Sequence, residues 1–251
     1  MDDDSGTGLP ACIEVAWGLR ERPGKGPRPG LSLQRIVDAA VKVADAEGLA
    51  AVSMGRVAAD LGASTMSLYR YVAAKDELLA LMMDAAGGPA PAALAAGEGW
   101  RAGLSRWARA ELDFHRRHPW VVRIPISGPP VTPNQIAWLD RGLGCLRDTG
   151  LEEGEKLSVM LLLTGYVRNY ATLEADLTEG ARASGSDPQA ASSSYGRLLA
   201  KLTDAERFPA LHTLLASGLF DQEAPEDPDA EFTFGLERVL DGIDALVRAR
   251  S

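Results

Sequence analysis

The chain has 251 residues, of which 46% are hydrophobic and 24% are charged, an ordinary composition for a globular protein of one large or two smaller domains. It contains no uninterrupted apolar run of about 18 residues, and its acidic start does not resemble a secretory signal, so we expect a cytoplasmic protein without a membrane span. The two cysteines are far apart in the sequence and are expected to be free thiols. The formal net charge of −9 argues at first sight against a nucleic-acid partner.

Residues 1–30 are rich in glycine, proline and charge, which predicts a flexible arm with one apolar island at residues 13–19 that can form a short docked turn. Basic residues cluster towards the end of this arm, where several arginines and lysines accompany a single glutamate. A local basic segment allows an acidic protein to approach phosphates. We therefore treat Lys25 and Arg28 as candidate DNA contacts. A solvated linker is the alternative, and the sequence does not choose between the two.

From Ser32 onwards, the spacing of apolar residues becomes helical. Ser32 is suited to cap a first helix, which ends at Gly48. Ser53 and Ser64 are suited to cap two shorter helices, separated by Gly62, a residue that readily adopts the left-handed conformation at helix ends. Two short helices joined by a tight turn are typical of a helix-turn-helix, whose second helix enters the major groove of DNA.

The run from Ile36 to Asp84 contains the pattern LG…S.LY.Y…KDELL and resembles the DNA-binding domain of the tetracycline-repressor (TetR) family of transcriptional regulators. The motif is specific, although the resemblance covers about a fifth of the chain. It implies an all-α fold, with a three-helix helix-turn-helix DNA-binding domain over residues 31–86 and a larger helical ligand-binding and dimerisation domain over residues 87–251. The segment 87–99, rich in Gly, Pro and Ala, marks the boundary.

The second short helix exposes small or hydrogen-bonding side chains, as entry into the major groove requires. By the resemblance, Thr65 and Ser67 match positions that contact bases or phosphates. Tyr69 and Lys75 match positions that contact phosphates. Arg56 lies on the preceding helix and either reaches DNA or is an exposed arginine without a role. The candidate DNA-contacting residues of this domain are Arg56, Ser64, Thr65, Met66, Ser67, Tyr69, Arg70 and Lys75.

Beyond the boundary the sequence predicts long helices and lacks the alternating pattern of strands. The helical tracts cover residues 100–118, 132–149, 152–177, 195–217 and 229–250, and residues 180–194 are expected to form a flexible loop. A further helix starts at Lys75, links the two predicted domains and is expected to couple them mechanically. The dimer interface is expected on the tracts 152–177 and 229–250.

A ligand pocket is expected among the central helices, lined by apolar and aromatic groups with a few polar ones. The cluster GYVRNY, at residues 165–170, combines aromatic, amide and guanidinium groups and suits a polar aromatic molecule. The alternative is that most Trp and Phe residues belong to the core. His115 and His118 share a helix face, but no third metal ligand follows from spacing, so no metal site is predicted. The candidate ligand-binding residues are Trp107, Phe114, His115, Trp120, Trp138, Met160, Thr164, Tyr166, Arg168, Asn169 and Tyr170.

Together these patterns predict a dimeric DNA-binding regulator. The main hypothesis is a repressor that a hydrophobic or aromatic small molecule releases from a palindromic operator, because one short reading helix offers too few contacts and two half-sites require two copies. A ligand-dependent activator is the alternative within this class. A helical enzyme is the alternative outside it, but the sequence shows no Walker loop, GxSxG turn or telling carboxylate pair, so neither catalysis nor a cofactor is predicted. The expected partners are double-stranded DNA, the effector and a second copy, with no membrane.

Overall fold

The structure, a computed structural model, describes residues 8–20, 31–126, 128–185, 188–221 and 227–250, with the side chains of 188–191 excluded. Over these ranges the chain forms eleven α-helices and no β-strand. The prediction of an all-α fold with an N-terminal helix-turn-helix is confirmed.

The α-helices are α1 (Ala11–Ala16), α2 (Leu33–Glu47), α3 (Met54–Asp60), α4 (Thr65–Leu68), α5 (Lys75–Gly87), α6 (Trp100–Arg117), α7 (Pro133–Cys145), α8 (Glu153–Ser184), α9 (Pro188–Leu202), α10 (Pro209–Ala216) and α11 (Ala230–Arg250). Short 3-10 helices cover Leu49–Ala51, Pro119–Arg123 and Leu219–Asp221.

Serine caps fix where α2, α3 and α4 begin. The hydroxyl groups of Ser32, Ser53 and Ser64 each accept the backbone N–H of the residue three positions later, at 3.2, 3.1 and 3.2 Å. Gly48 and Gly62 have φ angles of +82° and +61°, which residues other than glycine rarely adopt. The predicted caps and turns are confirmed, and each serine cap contributes about 1 kcal/mol to the helix that it starts.

A single apolar core joins the helix-turn-helix to the helix that follows it. Ile36 of α2, Val57 of α3 and Leu68 of α4 are fully buried in this core. The same cluster contains Phe114 at the end of α6 and Trp120 in the 3-10 helix Pro119–Arg123. The core therefore continues past the domain boundary predicted from the sequence, so the end of α6 is part of the support for the helix-turn-helix.

The helix α1 lies within the segment predicted to be a flexible arm. Its Cys12 and Ile13 side chains are only 2% exposed and belong to the same core. The Cys12 thiol donates to Glu77 Oε2 at 3.3 Å, and Trp17 Nε1 donates to the Val131 carbonyl at 2.7 Å. Burial, together with the Glu77 carboxylate, raises the pKa of Cys12 to about 12, so the thiol stays protonated. The apolar island docks because the core accepts its side chains and satisfies its polar groups.

The carboxylate of Asp84, near the end of α5, caps the N-terminus of α7. Its Oδ1 accepts the backbone N–H groups of Asn134 and Gln135 at 2.8 and 3.1 Å, and its Oδ2 accepts the Asn134 side-chain amide at 3.1 Å. The N-cap residue of α7 itself makes no side-chain capping bond in the described structure. Trp138 Nε1 adds a bond of 3.1 Å to the carbonyl of Gly88, which follows α5. These bonds attach the connecting helix α5 to α7.

The chain divides into two compact units, one running up to Thr172 and resuming at Leu240, and the other comprising Leu173–Val239. In the second unit, the rings of Tyr195 and Phe220 meet edge to face, with centroids 5.8 Å apart. A Cβ atom at Gly196 would lie 2.6 Å from the Cβ of Phe220, so glycine is required for this close approach of α9.

The loop predicted for residues 180–194 is largely helical. α8 continues to Ser184, and α9 begins at Pro188. Alanine and serine in this segment are compatible with helix, and proline is favoured in the first helical turn, where its missing N–H costs nothing. Gly185, with a φ angle of +62°, follows the last residue of α8.

The tract predicted as one helix over residues 195–217 is interrupted. α9 ends at Leu202, and α10 begins at Pro209. Between them, Asp204 Oδ1 accepts the backbone N–H of Arg207 at 2.9 Å, which stabilises a turn in place of a helix. The helix is interrupted because the turn at Asp204 is followed by Pro209, which starts a new helix. The apolar spacing on either side is helical, so the sequence pattern does not reveal the interruption.

We predict that Asp84→Ala destabilises the protein, because it removes the cap of α7 and leaves the partly buried amides of Asn134 and Gln135 without this acceptor. The expected loss is about 2 kcal/mol in the free energy of unfolding, or about 5 °C in the melting temperature measured by circular dichroism. Asp140→Ala, at an exposed aspartate of α7, is the control and should change stability by less than about 0.5 kcal/mol. Equal melting temperatures for the two variants would contradict the capping role.

Candidate nucleic-acid interface and ligand site

The helix α4 is shorter than the sequence predicted, because it ends at Leu68 and residues 69–71 form a turn. Leu68 and Val72 are both fully buried and anchor this segment to the core. The Tyr71 hydroxyl donates to the Leu31 carbonyl at 3.2 Å and fixes the end of the turn. The tip of α4 is thus presented rigidly despite its short length.

The outer surface of α4 and its turn exposes several predicted DNA contacts together. Met66 is 73% exposed and Tyr69 is 47% exposed, so both side chains are accessible to a partner. Thr65 and Arg70 are also exposed. These groups combine an apolar tip, hydroxyl groups and a guanidinium, the set that base edges and phosphates accept.

The predicted contacts Ser64 and Ser67 have a local structural role as well. Ser64 caps α4, and its hydroxyl lies 2.8 Å from the hydroxyl of Ser67. Ser64 is exposed and Ser67 is partly buried. Hydroxyl groups keep further donor and acceptor capacity after one bond, so the two serines remain available to a phosphate.

Lys75 is the first residue of α5 and is exposed. The start of α5 is held by Glu77, whose Oε2 accepts the backbone N–H of Ala73 at 2.9 Å. This bond fixes the chain direction just before Lys75, and the ammonium group therefore extends from a defined helix start next to the α4 turn.

Arg56 forms ion pairs with two neighbouring carboxylates. Its guanidinium donates to both Glu47 carboxylate oxygens, at 2.8 and 2.7 Å, and to Asp60 at 3.1 Å. The hydrogen bonds of Glu47 and then of Asp60 raise the pKa of Arg56. These ion pairs are exposed and therefore weak, so the assignment of Arg56 as a DNA contact stays a prediction. Lys25 and Arg28 lie outside the described residues.

Asp45 of α2 connects the helix-turn-helix to the end of α6. Its Oδ1 accepts the indole N–H of Trp120 at 2.6 Å and lies 2.7 Å from Nδ1 of His118. Trp120, predicted as a ligand contact, is 4% exposed and its polar atom is used by this bond. Trp120 is therefore part of the link between helices and is not available to line a pocket.

The predicted aromatic residues of α6 and α7 form one cluster. The rings of Trp107 and Trp138 meet edge to face at 5.9 Å, and Phe114 lies 6.4 Å from Trp138. Trp107 donates its indole N–H to the Trp138 carbonyl at 3.0 Å and is 4% exposed. Met160, 2% exposed, fills the space beside Gly142, where a Cβ would lie 2.1 Å from its methyl carbon. These contacts give Trp107 and Met160 a role in the core.

A polar set lies on the buried side of α6 and faces α8. His115 is 5% exposed, and its Nδ1 has no hydrogen-bond partner among the described residues. Glu111, one turn earlier, has its Oε2 shielded from solvent and likewise unpartnered in the described part of the chain. Burial raises the pKa of Glu111 to about 8, and burial followed by the charge of Arg168 lowers the pKa of His115 to about 4. Both groups are therefore mainly uncharged at neutral pH.

Sequence reasoning did not identify Glu111. Its signal is visible in retrospect, because Glu111 and His115 are four residues apart in a helix and share a face with the buried Leu104 and Ala108. Burying a carboxyl group and an imidazole on an apolar helix face lowers the stability of the fold unless both are hydrogen-bonded.

The remaining ligand candidates lie on α8. Thr164, Tyr166 and Tyr170 are partly buried, whereas Asn169 is exposed. The two tyrosine rings are 6.4 Å apart. Arg168 lies on the same stretch and donates from Nη2 to the carbonyls of Val122 and Ile124 at 3.1 and 2.7 Å.

A cleft of about 780 Å³ opens between the end of α5, the linker after it and α6. Trp138 is the ligand candidate that lines this cleft. On the α6 side, the cleft is lined by Asp113, Arg116 and Arg117. The structure thus separates Trp138, on this cleft, from His115, whose side of α6 faces α8.

Within the described ranges, no group of three or more His, Cys, Asp or Glu side chains is placed to hold a metal ion. His118 contacts Asp45 in preference to sharing a site with His115. None of the helices that the structure describes combines the length and hydropathy that crossing a membrane requires.

Comparison with protein families gives two matches along the chain. Residues 36–82 match the family described as bacterial regulatory proteins, tetR family. Residues 92–247 match the family described as tetracyclin repressor-like, C-terminal domain.

Individual relatives agree with these matches. The HTH-type transcriptional repressor DrrR1 of Streptomyces coeruleorubidus is 41% identical over 99% of this chain and 90% of its own length. An HTH-type transcriptional regulator of Saccharopolyspora erythraea is 31% identical over 67% of this chain and 70% of its own length.

Among solved structures, ActR of Streptomyces coelicolor in complex with (S)-DNPA superimposes with a TM-score of 0.72 at 27% identity, covering 87% of this chain and 99% of ActR. ActR in complex with actinorhodin gives a TM-score of 0.71 at 28% identity, covering 86% and 98%. With both family matches placed along one chain and a repressor aligned over almost its full length, the chain belongs to the TetR family of DNA-binding transcriptional regulators.

Proposed function

We propose that the chain is a homodimeric repressor that reads a palindromic operator with α4 and leaves it when a small aromatic molecule binds the C-terminal region. The observation that carries this proposal is the tip of α4, where exposed Met66 and Tyr69 stand on a turn anchored by buried Leu68 and Val72. Because the partner is chromosomal DNA, the proposed place of action is the cytoplasm. The proposal assigns no catalytic step to the chain.

In the proposed complex, the groups at the tip of α4 divide into base readers and phosphate contacts. Thr65 and Met66 point away from the core at the start of the helix, where residues of a reading helix meet base edges. The exposed thioether of Met66 suits the methyl group of a thymine. Tyr69, Arg70 and Lys75 carry the phenol and cations that fix the register on the phosphate backbone.

The outer face of α8 supports the homodimer. Leu157, Leu161 and Leu162 are 54%, 76% and 54% exposed. Leu157 and Leu161 are one turn apart, so their side chains form a continuous apolar stripe. Isolated exposed leucines are normal, but a stripe of this kind on a long helix is typical of an interface. A second copy of the chain is the partner that a palindromic operator requires.

The proposed effector is a small organic molecule. ActR, which resembles this chain over most of its length, has been solved with actinorhodin and with (S)-DNPA. Partly buried Tyr166 and Tyr170 together with buried His115 offer aromatic and polar groups for such a molecule. Release from DNA requires that the effector bind the released conformation more tightly than the DNA-bound one.

We predict that selection from random duplex DNA with the purified protein recovers a palindrome whose half-site centres are about 34–36 Å apart or a multiple of that distance. Met66→Ala should relax the preference at one symmetric thymine position in each half-site by about 1 kcal/mol, the size of one buried methyl contact. Recovery of sequence-blind, salt-sensitive binding alone would contradict the proposed readout.

We predict that the double variant Tyr69→Phe with Lys75→Ala weakens operator binding by about ten- to a hundredfold, because each half-site loses contacts to charged phosphates. The loss should be similar for all sequences, and the dependence on salt should become less steep, as measured by fluorescence anisotropy. Lys201→Ala, which removes the same charge at an exposed position of α9, is the control. Unchanged affinity in the double variant would refute the assignment of these two residues.

We predict that Leu161→Asp produces a monomer that no longer binds the palindrome, because a carboxylate would be buried in the proposed interface. Light scattering coupled to gel filtration measures the mass, and anisotropy measures operator binding. Ile126→Asp is a matched control, since Ile126 is 73% exposed and Leu161 is 76% exposed. A dimeric Leu161→Asp variant would place the interface elsewhere.

A further inference from the structure

The buried polar set between α6 and α8 has no evident structural purpose. It consists of Glu111 and His115 on α6 and Arg168 on α8. The Glu111 Oε2 and His115 Nδ1 atoms are shielded from solvent, and the described residues supply neither of them with a hydrogen-bond partner. A buried polar atom left unpaired costs about 1–3 kcal/mol. Apolar side chains at the two α6 positions would therefore favour folding, and their absence requires another explanation.

Arg168 does not remove this cost. Its Nη2 atom is held by the carbonyls of Val122 and Ile124, at 3.1 and 2.7 Å, at the end of the 3-10 helix Pro119–Arg123. The guanidinium is close enough to affect the pKa values of Glu111 and His115, although burial has the larger effect on each. The set thus combines one fixed cation with two mainly neutral polar groups.

The surroundings of the set are aromatic on one side. The Phe114 ring lies 4.9 Å from the His115 ring and 6.4 Å from the Trp138 ring. His115 is therefore held with its imidazole against an apolar ring while its Nδ1 is unpaired. A flat molecule that packs against Phe114 beside His115 would bring its ring substituents to the unpaired atoms.

The chemistry of the set selects among ligands. A protonated carboxyl group donates one hydrogen bond and accepts others, and a neutral imidazole offers one donor and one acceptor. Hydroxyl and carbonyl groups on an aromatic ring complement both. The fixed positive charge of Arg168 disfavours a cationic ligand and favours a neutral or acidic one.

We propose that Glu111 and His115 bind the hydroxyl substituents of a neutral or acidic hydroxylated aromatic molecule, and that Arg168 excludes cationic ones. This inference rests on the proposed function, because it specifies the class of effector that the C-terminal region accepts.

The experiment measures binding of three probes to the full-length protein by quenching of tryptophan fluorescence, without DNA. The probes are 1,4-dihydroxyanthraquinone, unsubstituted anthraquinone and the cationic 9-aminoacridine. We expect the dihydroxy compound to bind at least about tenfold more tightly than anthraquinone, the ratio that one buried hydrogen bond supplies. The aminoacridine should bind more weakly than either.

Variants of Glu111 separate a binding role from a structural one. Glu111→Leu should lose at least about tenfold in affinity for the dihydroxy probe, leave anthraquinone binding unchanged and raise the melting temperature. Glu111→Gln, which keeps a donor and an acceptor, should retain most of the affinity. Asp113→Leu changes an exposed acid of the same helix and is the matched control. His115→Leu should reproduce the result of Glu111→Leu.

Each outcome decides the proposal. Equal affinity of wild type and Glu111→Leu for the dihydroxy probe, tighter binding of the aminoacridine, or no binding of the dihydroxy probe to wild type would overturn it. A lower melting temperature for Glu111→Leu would also overturn it, since that result would show a structural role. Operator binding is measured in parallel by anisotropy. Intact operator binding with failed probe discrimination rejects this inference alone, whereas failed operator binding by wild type rejects the proposed function.

Discussion

The bond network of Asp84 is the constraint on which the arrangement of the first compact unit depends. Asp84 belongs to α5, and α5 also starts at Lys75, directly after the α4 turn. Through its carboxylate, the same helix caps α7 with bonds of 2.8 and 3.1 Å to backbone amides. A helix N-terminus carries a partial positive charge, so a buried carboxylate is both a cap and a favourable electrostatic partner. Any movement of α7 must either break these bonds or carry α5 with it.

A second link joins the helix-turn-helix to α6. Asp45 of α2 accepts the Trp120 indole, and Trp120 is buried in the core that α2 and α5 share. The ligand candidates His115 and Phe114 lie on the last turns of α6, close in sequence to this link. A ligand that changes the position of the α6 end would therefore act on α2 through Asp45 and on α5 through the shared core. This gives two short and physically distinct routes from the candidate ligand site to the reading helix, as coupling between two states requires.

The features predicted correctly from the sequence are local. Serine caps, left-handed glycines and the spacing of buried residues depend on neighbours within one or two turns, and a single sequence contains those neighbours. The missed features depend on residues distant in the chain. Asp84 reads as an ordinary helix residue until α7, about 50 positions later, supplies amides to it. The helical spacing of Glu111 and His115 is visible in the sequence, but the sequence does not show that the Glu111 carboxyl group lacks a partner among the described residues.

The small number of exposed cations described at the tip of α4 favours a dimer. The chain has a net charge of −9, and the exposed cations next to the α4 tip include Arg70 and Lys75. Two cations neutralise few phosphates, and the electrostatic part of DNA affinity grows with the number of phosphates neutralised. One copy would therefore bind weakly and with little salt dependence. Two copies joined through the proposed α8 interface would double the contacts, and the second half-site would be bound at a high effective concentration. The acidic remainder of the surface then opposes binding at sites where only one reading helix fits, so specificity comes from the pair.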